Sequence, residues 1–108
     1  MVTGVQTCAL PILHGILNLI KNAMQAIDTH GTIGITARKQ PSGQVAIDIS
    51  NSGQSIPPDV RDRIWQPYFT TRKDGTGLGL AICRRIIADH GGTIELLEGK
   101  PTTFRIVV

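Results

Sequence analysis

From Leu13 onward the apolar positions fall at 13, 16, 17, 20, 23, 24 and 27, the i, i+3, i+4, i+7 recurrence of one helix face. This spacing predicts an amphipathic helix over residues 13–30. At about 100° per residue, Asn18 and Asn22 are neighbours one turn apart, opposite the middle of the stripe, and are expected to face away from the core. The turn HGT then leads into TIGITARK (32–39), which alternates with period two. QPSG makes a tight turn, and QVAIDIS (44–50) alternates again, so a hairpin with one buried face is expected. NSGQSIPP breaks the pattern with a glycine and two prolines, and PDVRDRIW permits only a short helix with Pro58 at its start. After the polar loop QPYFTTRKDGTG, LGLAICRRIIADH (78–90) reads as a second long helix that Gly91 ends as a C-terminal cap. TIELLEG and TTFRIVV, around GKP, supply two final strands.

The resulting order is helix, two strands, short helix, helix, two strands. Strands clustered in hairpins with helices between them predict an α+β fold, a two-layer sandwich with helices on one face of a mixed β-sheet. The opening MVTGVQTCALPI shares neither period, and Pro11 interrupts it just before the helical stretch. Val2 to Ile12, VTGVQTCALPI, resembles the in-frame translation of a short-read sequencing adapter. Residues 1–12 are therefore expected to be a non-native leader, with the natural upstream part missing, and residues 13–108 the domain. The other reading is a native, poorly ordered tail.

Composition narrows the function. The 108 residues suffice for one core, and with hydrophobic content at 41% and few aromatics (Trp65, Tyr68, Phe69 and Phe104), Leu, Ile and Val must build it. A net charge of +3 is modest and its basic residues are scattered, so no nucleic-acid partner is expected. Cys8 and Cys83 have no metal-ligand spacing and fit a reducing, cytoplasmic setting. No apolar run approaches the roughly 18 residues that would cross a bilayer, so no membrane contact is expected of this stretch.

GTGLGL (75–80) carries the chemistry. A dinucleotide fingerprint needs GxGxxG directly after a buried strand, and a P-loop needs GxxxxGK followed by Ser or Thr; neither pattern is present. A flexible loop is one reading. The other is physical: a glycine loop feeding a helix N-terminus exposes backbone N–H groups and the positive end of the helix dipole, and lets oxygen atoms approach the backbone. With Arg72 and Lys73 upstream, the segment suits phosphates.

Together NLIKNA, NSGQSIP, WQPYFTT, GTGLGLAI and HGGTI occur in the order of the N, G1, F and G2 boxes of sensor histidine kinases. Residues 13–108 resemble their catalytic and ATP-binding domain, which shares a Bergerat-type ATP-binding fold with DNA gyrase in the GHKL superfamily. The resemblance implies that the domain binds Mg-ATP as cofactor and donates the γ-phosphoryl group in two-component signalling. The acceptor would be a histidine on a dimerisation and phosphotransfer domain, the missing upstream part of the same protein, with a response regulator as the indirect partner. The isolated stretch, lacking the acceptor, would not autophosphorylate. The domain would be cytoplasmic even if its parent were membrane-anchored.

Site roles follow residue by residue from the same resemblance. Asn22 matches the magnesium ligand, its amide oxygen being a hard neutral donor. Asn18 stands where ATPase relatives carry a glutamate as general base; an amide cannot take up a proton, which argues for transfer over hydrolysis. Aligning Ile56 with the isoleucine of DxGxGI puts Asn51 at the adenine-reading aspartate, Gly53 at the first glycine and Ser55 at the second. An uncharged acceptor at 51 implies a penalty on the order of 1 kcal/mol in binding. Ser55 adds a side chain where glycine could take a positive φ. Thr102 matches a threonine that supports the adenine pocket. Trp65, Pro67, Tyr68 and Phe69 match the F box, either packing the lid or packing the core. Arg72 and Lys73 would neutralise charge on the phosphates, and Gly75, Thr76, Gly77, Leu78 and Gly79 would wrap them. Leu78, Leu80, Ile82 and Ile86 also read as helix packing, Cys83 as a small buried residue, and His14, His30 and His90 as surface or capping residues. Two alternatives stay open: a degenerate nucleotide-binding or interaction module without kinase activity, and a GHKL serine kinase of the anti-sigma type.

Overall fold

The structure, a computed structural model, describes residues 3–27, 29–53, 55–69 and 79–108. Its elements are α1 (Thr3–Gln25), β1 (Ile33–Lys39), β2 (Val45–Asn51), a 3₁₀ turn at Pro58–Val60, α2 (Gly79–Asp89), β3 (Thr93–Leu96) and β4 (Thr102–Val107). The order matches the one that the hydrophobic pattern predicts. The strands form one sheet in the spatial order β1-β2-β4-β3. Every neighbouring pair is antiparallel, which corrects the mixed sheet that the element order suggests. The α2 crossover does bring β3 back in the direction of β2, but the β3–β4 hairpin places β4 between them. No parallel pair can therefore form.

Alternation along β2 and β4 decides which side is buried. Ile49, Phe104 and Ile106 point inward and join Leu19 of α1 and Cys83 and Ile87 of α2 in one core cluster, with Ile64 closing it. On the opposite face Asp48 and Arg105 are register partners, and the carboxylate accepts from Arg105 Nε at 2.8 Å and Nη2 at 2.9 Å. Arg38 of β1 stands 3.6 Å from the same carboxylate. The Arg105 guanidinium beside Asp48, with Arg38 assisting, holds its carboxyl below the usual carboxylate range. A carboxyl lowered in the folded state stabilises the fold above its unfolded value of about 3.9 and loses that contribution as pH falls through the lowered folded value. Urea unfolding at a series of pH values should therefore show a stability loss in acid, below about pH 4. Asp48→Asn should flatten it; an unchanged acid limb would refute the assignment.

Helix α1 differs from its prediction in three ways. It begins at Thr3 and runs through Pro11, ten residues before the expected start. Pro11 removes one intrahelical donor, and a helix already nucleated over its apolar stretch extends residue by residue past it. The helix ends at Gln25 and not at His30, because Thr32 is tied to the far end of the hairpin. Its N–H donates to Ser52 Oγ at 2.8 Å and its carbonyl accepts from Ser52 N–H at 3.1 Å, so the chain must leave the helix to reach β1. Finally, the buried face runs through Gly15, Leu19 and Ala23, about a quarter turn from the middle of the apolar stripe. Leu13, Leu17 and Met24 are 52%, 57% and 60% exposed, and Asn18 and Asn22 are half-buried where they were expected to face outward. Packing against α2 selects the face with small residues: Cys83 Sγ donates to the Gly15 carbonyl at 3.4 Å.

Helix α2 ends as its sequence predicts. Gly91 takes φ +73°, its N–H donates to Ala88 O at 3.0 Å, and Gly92 N–H donates to Ile87 O at 2.9 Å. This is the paired 5→2 and 6→1 closure that a left-handed residue makes possible.

Candidate functional site

The site is assembled where β2 leaves the sheet. Asn51, last in β2, faces Thr102, first in β4, as register partners. They are the two buried polar side chains among the described residues, 4% and 5% exposed. Asn51 Oδ1 accepts the Gly53 N–H at 3.0 Å, an Asx turn that bends the chain out of the sheet. Gly53 then abuts the end of α1 so closely that a Cβ there would lie 2.6 Å from the carbonyl carbon of Ala26. Ala26 N–H in turn donates to the Asn22 carbonyl at 3.2 Å. Asn22 thus sits one helical turn from the point where α1 meets the Asn51 turn.

Beyond Gly53 the chain lines an open pocket of about 250 Å³, formed by Ser55 and Ile56, Pro58 and Arg61 of the short helical segment, and Leu96, Leu97, Gly99, Lys100 and Thr102 of the last hairpin. This is below the range of sites that enclose a whole drug-sized ligand, so it offers a berth for one part of a larger molecule. Among the described residues its walls carry two cations, Arg61 and Lys100, and no carboxylate. Arg61 is fixed there, with Nη2 donating to Leu96 O at 2.9 Å.

Among the residues named from sequence, Asn18 and Asn22 lie on α1, and Asn51, Gly53, Ser55, Ile56 and Thr102 gather at the β2 exit and the pocket. Ser55 keeps an ordinary φ, since Tyr68 at +68° is the one non-glycine with positive φ among the described residues. The serine at the second glycine position is therefore absorbed without left-handed strain. Phe69 is half-buried against the core, and Gly79 opens α2 in an exposed position. Arg72, Lys73, Gly75, Thr76, Gly77 and Leu78 lie outside the described residues. Arg61 and Lys100 were not legible as site residues. Arg61 follows an unremarkable Pro-Asp-Val, and Lys100 reads as a turn lysine; only the hairpin's fold brings them to Ser55 and Thr102.

The remaining expectations divide. Trp65 packs edge-on to Phe104, with centroids 5.8 Å apart and planes at 88°, and Arg84 of α2 stacks over its ring at 5.4 Å. Tyr68, by contrast, is 76% exposed. Cys83 is fully buried and burial pushes its thiol up to about 11, which fits a packing role and not a nucleophile. His90 Nδ1 bonds Ile86 O at 2.8 Å at the α2 terminus, and His14 and His30 are exposed, as expected. Leu80 packs on the core, whereas Ile82 is 42% exposed, a correction to its packing role, because among the described residues it lies outside the core cluster that α2 joins. No helix among the described residues is long and apolar enough to cross a membrane.

Against this geometry, comparison with known proteins is specific. The profile of the histidine kinase-, DNA gyrase B-, and HSP90-like ATPase family matches residues 9–108. The chain is 48% identical over 93 residues to the sensor histidine kinase ZraS of Escherichia coli (strain K12), covering 84% of this chain and 20% of that protein. It thus spans about a fifth of the length of that relative. Among solved structures it resembles the nucleotide-free catalytic domain of the histidine kinase ThkA, with TM-score 0.81 and 37% identity over 92% of this chain and 66% of that one. It also resembles ThkA in complex with the response regulator protein TrrA, with TM-score 0.71 and 34% identity over 87% of this chain and 27% of that one.

Proposed function

We propose a function that starts from one fact: the chain belongs to the family of histidine kinase-, DNA gyrase B- and HSP90-like ATPases, as the catalytic ATP-binding domain of a histidine kinase. It binds a magnesium-bound nucleoside triphosphate and donates the γ-phosphoryl group to a histidine nitrogen on a dimerisation and phosphotransfer domain, leaving the diphosphate. A response regulator then receives the group, and the domain works in the cytoplasm. The observation that carries the reading is the junction of the Asn51–Thr102 rung with the last turn of α1 through Gly53, which supports one ligand spanning both.

Each residue has a stated task. Asn51 and Thr102 read the base, and Ile56 with the pocket's apolar walls excludes water from one side of the ligand. Among the described residues no three His, Cys, Asp or Glu side chains gather to hold a cation. The half-buried Asn22 is a hard oxygen donor of the kind Mg2+ accepts alongside phosphate oxygens and water, so the residues fit that ion. The ion, when bound, neutralises charge that develops on the transferring group. Arg72 and Lys73 supply positive charge, and Gly75, Thr76, Gly77, Leu78 and Gly79 offer backbone donors. Asn18 holds no proton-accepting group toward water, which favours transfer over hydrolysis. A histidine acceptor is favoured over serine because the relatives ZraS, at 48% identity, and ThkA, at 37%, are histidine kinases.

Calorimetric titration of the folded chain with a non-hydrolysable ATP analogue, with and without Mg2+, tests the reading. Binding should depend on magnesium. No heat from a sample shown to be folded would leave an interaction module without kinase activity as the function.

A further inference from the structure

Independently of the nucleotide reading, we propose that the free edge of β1 is a self-association site, at which a second copy of this chain adds its own β1 in antiparallel and joins the two sheets into one. β1 is an outer strand, and among the described residues nothing pairs with its far side. The hairpin bonds show which groups face outward. Thr32 O accepts the Ser52 N–H at one end and Gln40 N–H donates to Gln44 O at the other, at 3.1 and 2.7 Å. Bonding alternates along an antiparallel pair, so Gly34, Thr36 and Arg38 also bond β2, and the N–H and C=O groups of Ile33, Ile35, Ala37 and Lys39 point away from it. Every β1 residue after Ile33 is exposed. Outer strands are commonly guarded by proline, a bulge or charge, yet residues 33–37 read IGITA in unbroken register and carry none of these.

The edge is complementary to itself. Turned about a two-fold axis through Thr36, it sets Ile33 opposite the partner's Lys39 and Ile35 opposite the partner's Ala37, so that every outward N–H meets an outward C=O. Thr36 then faces its own copy, a favourable cross-strand pair. Charge selects this direction: Arg38 and Lys39 of the two copies go to opposite ends of the seam, each across from an uncharged residue, whereas a parallel pairing would bring the cations together. Side chains continue the match. Ile35 shares the inner face with its register partner Ile49 but is 54% exposed. Gly15 turns toward α2, and the exposed Leu13, Leu17 and Met24 lie about half a turn round α1 from it. Since α2 packs on β3 and α1 on β1 and β2, this stripe looks out over the β1 edge. The two-fold keeps both inner faces on one side, so the two stripes face each other. With strands about 4.8 Å apart, helices seated over β1 and β2 come about 10 Å apart across the seam, a distance at which helices pack.

Light scattering after size exclusion, from about 1 μM to about 1 mM, should show the folded chain passing from monomer to dimer with a Kd on the order of 10 μM, in keeping with a small interface. Ala37→Pro deletes an outward donor in each copy while leaving the β1–β2 bonds intact, and should weaken the dimer by about tenfold or more. Ile35→Lys places two like charges at the seam, should do the same, and serves where the proline variant fails to fold. Hydrogen exchange on the unaltered chain gives a second readout. The amides of Ile33, Ile35, Ala37 and Lys39 should gain protection as concentration rises, while those of Gly34, Thr36 and Arg38 are protected throughout. A chain that stays monomeric at about 1 mM overturns the proposal. So does a dimer that a folded variant retains unweakened, or protection of the outward amides that does not change with concentration.

Discussion

Gly53→Ala is expected to destabilise the fold by about 3 kcal/mol and to lower the melting temperature by about 15 °C. The added Cβ would stand 2.6 Å from the carbonyl carbon of Ala26, and its neighbours there are backbone atoms, which cannot swing aside as a long side chain can. Relief would require moving either the end of α1 or the Asn51 turn. Since Gly53 keeps its φ outside the left-handed region, the cost is one of space and not of backbone conformation. A companion substitution, Gly79→Ala, meets nothing within 4 Å among the described residues and should leave the melting temperature nearly unchanged. Thermal unfolding of both, followed by circular dichroism, separates the two mechanisms; equal melting temperatures would refute the close approach at Gly53.

Asn22→Ala should reduce phosphoryl transfer to an acceptor domain supplied separately by about 100-fold, the scale seen when a single group that stabilises transition-state charge is removed. It should also abolish the difference between triphosphate binding with and without Mg2+, while binding without the ion stays within about twofold. The second readout distinguishes loss of a metal ligand from general damage to α1, which would weaken both. Retained magnesium dependence in a folded Asn22→Ala chain would remove Asn22 from the metal site. Such a result would move the search to a neighbour along the same helix, where Asn18 lies one turn away and is likewise half-buried.

Local chemistry was legible wherever one stretch of chain sufficed. The end of α2 at Gly91, the two hairpins and the short helix opened by Pro58 all follow from turn residues and period, and all occur. What the sequence concealed depends on contacts between distant segments. The buried face of α1 is chosen by the fit of its Gly15, Leu19 and Ala23 side against Cys83, although Leu13, Leu17 and Met24 make the more apolar stripe. Arg61 and Lys100 join Ser55 and Thr102 only because the last hairpin folds back onto the segment after β2. The residues that the motifs name as candidates, Asn22, Asn51, Gly53 and Thr102, come together where β2 leaves the sheet. That Asn51 and Thr102 face each other as a rung of two central strands is a matter of register, which alternation alone leaves undetermined by any even number of residues.

That rung has a consequence for how the two ends of the site move. Asn51 and Thr102 belong to the inner pair of strands, paired with each other and buried, so the sheet holds this end of the site. Asn22 lies in the final turns of a helix whose last residues lean on a single glycine turn and fray at far lower cost. The site therefore has one stiff jaw and one compliant jaw. On the proposed reading, a nucleotide gripping both would find its base end already set, and the ordering entropy lost on binding would fall almost wholly on the phosphate end.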